Sequence, residues 1–151
     1  MEESKKLKIS WIVVAITIVV GMFLSLVNVI KPLPFFLQDV YEAYTGQSWS
    51  ALVDQQPKHA ALYEHFTREG SWYYFVLCFH ALFIVLASYR KGQKWAWVVL
   101  LLGYISTCGA LSVFGFIYVG VSGIWLGIID LCIGLVALLL PAKEIWAYKT
   151  E

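Results

Sequence analysis

Charge is scarce in this chain. Of its 151 residues, 14% are Asp, Glu, Lys or Arg and 60% are apolar, against roughly 25% and 45–50% in a soluble domain. That shortage, with a mean hydropathy of +0.73, excludes an ordinary solvated domain and points to a membrane protein. The net charge is only +1, so there is no basic field for nucleic acid. Cysteine is scarce as well. Cys78, Cys108 and Cys132 all lie in apolar runs with no C-x-x-C pair, which removes a paired thiol redox motif and leaves them as small buried hydrophobes. The apolar runs hold a single histidine, His80, which disfavours a bis-His haem site. No nucleotide loop, nucleophile elbow or H-E-x-x-H motif occurs, so nothing positive supports an enzyme and no cofactor is expected. His59, Glu64 and His65 lack a metal-ligand spacing and read as surface residues. The length allows one domain.

What is abundant is apolar helix. Four runs are long enough to cross a bilayer, at about 10–30, 71–89, 95–118 and 122–140. Aromatics make up 17% of the chain, with seven Trp, many near the ends of these runs, where interfacial belts form. The first run follows a charged start, as a signal peptide would. It is too long for one, and VNVIKPLP follows in place of a small-x-small cleavage site, so it reads as a retained helix. The expected fold is an all-α, four-transmembrane-helix bundle.

Residues 31–70 form the one long connection. Pro34 suits the first turn of a helix and Gly46 its left-handed end. Between them Phe36, Leu37, Val40, Tyr41 and Tyr44 share one side and Asp39 and Glu42 the other, an amphipathic pattern suited to a membrane surface. Ser48 suits the cap of a further turn, and Pro57 the start of a third short helix. The segment thus reads as a cap of short amphipathic helices between the first two crossings. Lys5, Lys6, Lys8, Arg90, Lys91, Lys94, Lys143 and Lys149 fall on one side of the bundle, and only Lys31, Lys58 and Arg68 on the other. The asymmetry of basic residues predicts cytoplasmic termini in a cell membrane, with 31–70 outside.

The fourth run, GIWLGIIDLCIGLVALLL, carries one acid. At 100° per residue Gly123, Gly127, Asp130, Gly134 and Ala137 fall on a single stripe. Small residues on such a stripe let another helix approach closely, and an acid there points into the bundle. Gly21 and Gly103 sit on weaker polar stripes, with Thr17, Asn28 and Ser25 on the first run and Ser106, Thr107 and Ala110 on the third. Asp130 and His80 both lie about 8–9 residues from the outer ends of their helices, roughly 12–14 Å at 1.5 Å per residue. The expectation is therefore a pair at matching depth. It is either a proton-responsive or ligand-binding pair or a buried hydrogen bond that fixes packing through Ser106, Thr107 or Tyr104.

The order of parts resembles small four-helix membrane proteins of the DoxX-like kind. The resemblance spans roughly residues 35–146. It rests on the outer amphipathic segment, the basic turn running into Trp-Ala-Trp at Arg90–Trp97, and the Pro-Ala-Lys-Glu exit at Pro141–Glu144. It implies a four-helix bundle and carries no activity over. The sequence-based expectation is non-enzymatic binding of a membrane lipid or small hydrophobic ligand near Asn28, His80, Ser106, Thr107 and Asp130. Two rivals stand beside it. One is an accessory subunit of a larger membrane-protein complex, and the other a proton-coupled carrier acting as a homo-oligomer.

Overall fold

The computed structural model describes residues 4–31, 35–119 and 121–147, and among these every regular element is helical. The elements run α1 (Lys5–Ile30), α2 (Phe35–Thr45), α3 (Trp49–Gln55), α4 (Pro57–Ala87), α5 (Lys94–Val119), α6 (Val121–Leu139) and α7 (Ala142–Ala147). A single 3-10 turn at Tyr89–Lys91 lies between α4 and α5. Among the described residues, three stretches are long and apolar enough to cross a membrane: Lys5–Ile30, Pro57–Lys91 and Lys94–Phe114.

Local chemistry sets most boundaries. The Ser4 hydroxyl accepts from the Leu7 amide at 3.1 Å, so α1 starts at Lys5 rather than near residue 10. Gly46, at φ 69°, ends α2 in the left-handed region, and the Ser48 hydroxyl caps α3 by accepting from Ala51 at 3.2 Å. Gly92, at φ 74°, closes the basic turn. Pro34 lies outside the described residues, as does Lys149 of the basic side.

A second boundary also differs from expectation. The second crossing does not begin at Ser71 after a separate short helix; α4 runs unbroken for 31 residues from Pro57. Gly70 is the only weak point between, and one interior glycine costs about 1 kcal/mol. Propagating an existing helix outweighs that, whereas a new nucleus would be needed to restart it. At 1.5 Å per residue α4 is about 46 Å long.

α1 packs along α4 and also meets α6, while α6 packs along α5. α4 and α5 meet only narrowly. The main core holds Leu7, Val14, Ile18, Val85, Tyr89, Leu100 and Leu138. A second, small core joins α2 and α3 to the first turns of α4, where Trp49, Leu52 and Ala60 are buried. Over it the rings of Tyr41, Trp49 and Tyr63 pack together, with centroids 5.4–5.7 Å apart. Arg68 reaches from α4 to the last turn of α1, donating to the Val29 carbonyl at 3.1 Å, where a cation suits the helix dipole.

Candidate functional site

Where α4 and α5 part, a cavity of about 170 Å³ opens. All four long helices build it. α1 contributes Thr17, α4 Tyr74, Cys78 and His80, α5 Tyr104, Thr107 and Cys108, and α6 Asp130. Most of the remaining wall is aliphatic, from Ile18, Leu77, Ala81, Ile84, Val99 and Leu100. Leu77, His80, Val99 and Gly103 are exposed, so the cavity is open at the gap between α4 and α5.

Glycine brings the acid to this place. A Cβ on Gly127 would stand 2.5 Å from Ser112 Oγ and 3.1 Å from Ser112 N, and one on Gly134 would run into the Tyr104 ring. Both glycines are buried. They seat α6 directly on α5, and Asp130 lies three residues beyond one and four before the other. Its Oδ2 accepts from the Cys108 thiol at 3.4 Å. The Ser112 hydroxyl donates to the Cys108 carbonyl at 2.8 Å, closing the same contact from the α5 side. Gly21 does the equivalent for α1 on α4 more loosely, since a Cβ there would meet Cys78 Sγ and the Tyr74 ring at 3.5 Å.

The polar groups divide into satisfied and open ones. Thr17 Oγ1 donates to the Val14 carbonyl at 2.9 Å, so its oxygen accepts from the Tyr104 hydroxyl. His80 Nδ1 lies 2.7 Å from the Val76 carbonyl. A carbonyl only accepts, so Nδ1 carries the proton and Nε2 of the neutral ring is left as an acceptor. Among the described residues Asp130 has the thiol as its one hydrogen-bond partner.

The expected site residues are therefore partly brought together. Asp130, His80 and Thr107 share the cavity wall; Asn28 and Ser106 do not line it. Asn28 lies about 16 Å along α1 from Thr17, and Ser106 is exposed on another face of α5. His80 and Asp130 are joined by neither a hydrogen bond nor an ion pair, because the imidazole turns back to its own helix one turn earlier. Gly103, expected at a helix contact, is not at one. A Cβ added there would find nothing within 4 Å, and the residue instead borders the cavity. Gly123 is helical, and its packing lies outside the described residues.

Tyr74, Cys78, Tyr104 and Cys108 are not among the ligand-binding residues expected from the sequence, yet all four line the cavity. A signal is present. Tyr74-Phe-Val-Leu-Cys78 and Tyr104-Ile-Ser-Thr-Cys108 repeat a Tyr-x-x-x-Cys spacing. At i, i+4 tyrosine and cysteine share a helix face. Among the described residues no group of three His, Cys, Asp or Glu could hold a metal ion. His65 instead lies 3.8 Å from Glu69 on the same helix.

Comparison with protein-family models, with curated proteins and with solved structures finds no match to the chain.

Proposed function

We propose that this is an integral membrane protein that holds a lipid or other small hydrophobic ligand in the cavity between α4 and α5. The observation that carries the reading is the cavity itself: an apolar chamber, open sideways, with an acid at its inner wall. A closed cavity of about 150 Å³ is enough for a benzene ring. A chamber of about 170 Å³ that opens to the side suits one end of a ligand whose tail continues outward into lipid.

The membrane setting is supported by the surface. Phe23, Phe83 and Val136 are 65%, 68% and 69% exposed, and large apolar side chains so open at the surface suit lipid better than water. In this reading α6 joins α1, α4 and α5 as the fourth crossing. α2, α3 and the first turns of α4 form the extracytoplasmic cap, and the termini lie in the cytoplasm. The length of α4, about 46 Å against a hydrocarbon core of about 30 Å, suits a helix whose first turns stand clear of the membrane. Kinship with DoxX-like proteins belongs to the same proposal. Two of the three features that carry the likeness are neighbours: Trp97 meets Trp146, two residues past the Pro-Ala-Lys-Glu exit, edge-on at 6.0 Å, and its Nε1 donates to the Leu138 carbonyl at 2.7 Å, three residues before that exit.

The test is native mass spectrometry of the gently extracted protein beside Gly103→Phe. The new ring has open space to enter and would occupy the cavity mouth. The expected result is a lipid-sized adduct on the unaltered protein that is lost from a folded Gly103→Phe. No adduct on either, or equal adducts on both, would overturn the reading.

A further inference from the structure

The cavity offers acceptors and no cation. Asp130 presents its carboxyl with only a thiol donor against it, and His80 presents Nε2. Thiols are weak donors, and a carboxylate has room for about four hydrogen bonds. Two of the wall's hydroxyl donors are committed elsewhere. The Tyr104 hydroxyl goes to Thr17, and the Thr17 hydroxyl to the Val14 carbonyl. No Lys or Arg lines the chamber. None of the chain's described Lys or Arg residues is placed to pair with the Asp130 carboxyl.

A ligand that complements this wall brings several N–H donors and a positive charge on an apolar body. We propose that the cavity is selective for a single-chain lipophilic amine, its ammonium group on Asp130 and its tail leaving through the gap between α4 and α5. This rests on the cavity reading above and adds the ligand's charge to it. The rings of Tyr74 and Tyr104 border the same space, and aromatic faces attract ammonium groups most strongly where water is excluded. The dimensions agree, since the chamber takes a head and a few carbons, while Leu77 and Val99 extend an apolar, exposed rim along the exit. A phosphoethanolamine headgroup carries the same ammonium behind a phosphate. With no Lys or Arg on the wall, that phosphate would be buried without a counter-charge, so the headgroup fits the site poorly.

The experiment uses the full chain in detergent with four probes: decylamine, decanol, decanoate and a lyso-phosphatidylethanolamine. Each is offered at equal concentration and retention is read by native mass spectrometry. The expected order places decylamine about tenfold or more above decanol, a difference of about 1.4 kcal/mol, with decanoate weakest and the lysophospholipid no better than decanol. Asp130→Asn should bring decylamine down to the level of decanol while decanol is unchanged. Should Asp130→Asn not fold, the ranking on the unaltered protein decides alone. Decylamine and decanol retained equally would leave the cavity reading standing and overturn the charge selectivity. Decanoate or the lysophospholipid bound most tightly would overturn it too, as would amine selectivity that survives in a folded Asp130→Asn. Retention of none of the four would remove the cavity reading as well.

Discussion

The Ser10 hydroxyl donates to the Ala137 carbonyl at 2.6 Å, across 127 residues of chain and between α1 and α6. That carbonyl needs an outside donor because its partner four residues on would be Pro141, which has no N–H. Ser10 in turn lies 2.5 Å from the Tyr89 hydroxyl. With its own proton spent on Ala137, Ser10 accepts there, making a relay from Tyr89 through Ser10 to α6. All of it is buried, where bonds in series reinforce one another. Trp97 of α5 donates to the next carbonyl, Leu138, at 2.7 Å. Donors from α1 and α5 are thus both tied to the end of α6, the first of them where Pro141 leaves a carbonyl without its helical partner.

Ser10→Ala should therefore be costly for so small a change. A buried carbonyl and a buried phenol lose their partners, worth about 1–3 kcal/mol, and the melting temperature in detergent should fall. Pro141→Ala returns an amide to the Ala137 carbonyl. In that background Ser10→Ala should cost less by about 0.5 kcal/mol or more. Equal losses in both backgrounds would show that the serine does not serve the proline's orphan.

The glycines of α6 make a graded prediction. Gly127→Ala puts a methyl on the Ser112 backbone and Gly134→Ala puts one into the Tyr104 ring, which Thr17 holds in place. Overpacking of this kind costs about 1–3 kcal/mol. Gly103→Ala meets nothing and gains helix propensity of up to about 1 kcal/mol. Thermal unfolding of the three variants should rank Gly103→Ala at or above the parent and the other two below it. A uniform effect would mean that α6 is not seated on α5.

His80 and Asp130 share a cavity without touching through a hydrogen bond or ion pair. In ligand-free protein His80→Gln and Asp130→Asn should then add, within about 0.3–0.5 kcal/mol, as separate sites do. A larger coupling energy in a double-mutant cycle of denaturation midpoints would restore the direct pair that equal depth suggests.

Topology is tested by labelling. In a background lacking Cys78, Cys108 and Cys132, a cysteine at Gln47, between α2 and α3, should react with an impermeant thiol reagent in intact cells. One at Gln93, in the basic turn, should react only after the membrane is opened. The opposite pattern would invert the proposed orientation.

Much of this protein is written locally, and local features are legible in the sequence. Apolar run length shows Lys5–Ile30 and Lys94–Phe114 to be long and apolar enough to cross a membrane with no knowledge of their neighbours. Gly46 and Ser48 announce the end of α2 and the start of α3, because a left-handed residue and a hydroxyl cap act within four residues. The stripe through Gly127, Asp130 and Gly134 follows from the helical period alone. What tertiary structure decided is the azimuth of one helix against another. That α4 and α5 part enough to leave a chamber depends on how α1 and α6 seat them both, and no period within either helix records it. That His80 turns to Val76 instead of Asp130 is a choice of side-chain rotamer, which sends Nδ1 to the carbonyl one turn back on its own helix. The two Tyr-x-x-x-Cys faces are visible in sequence, but only packing shows that they line the same space, since a residue's face is set by its own helix and its partners by all the others.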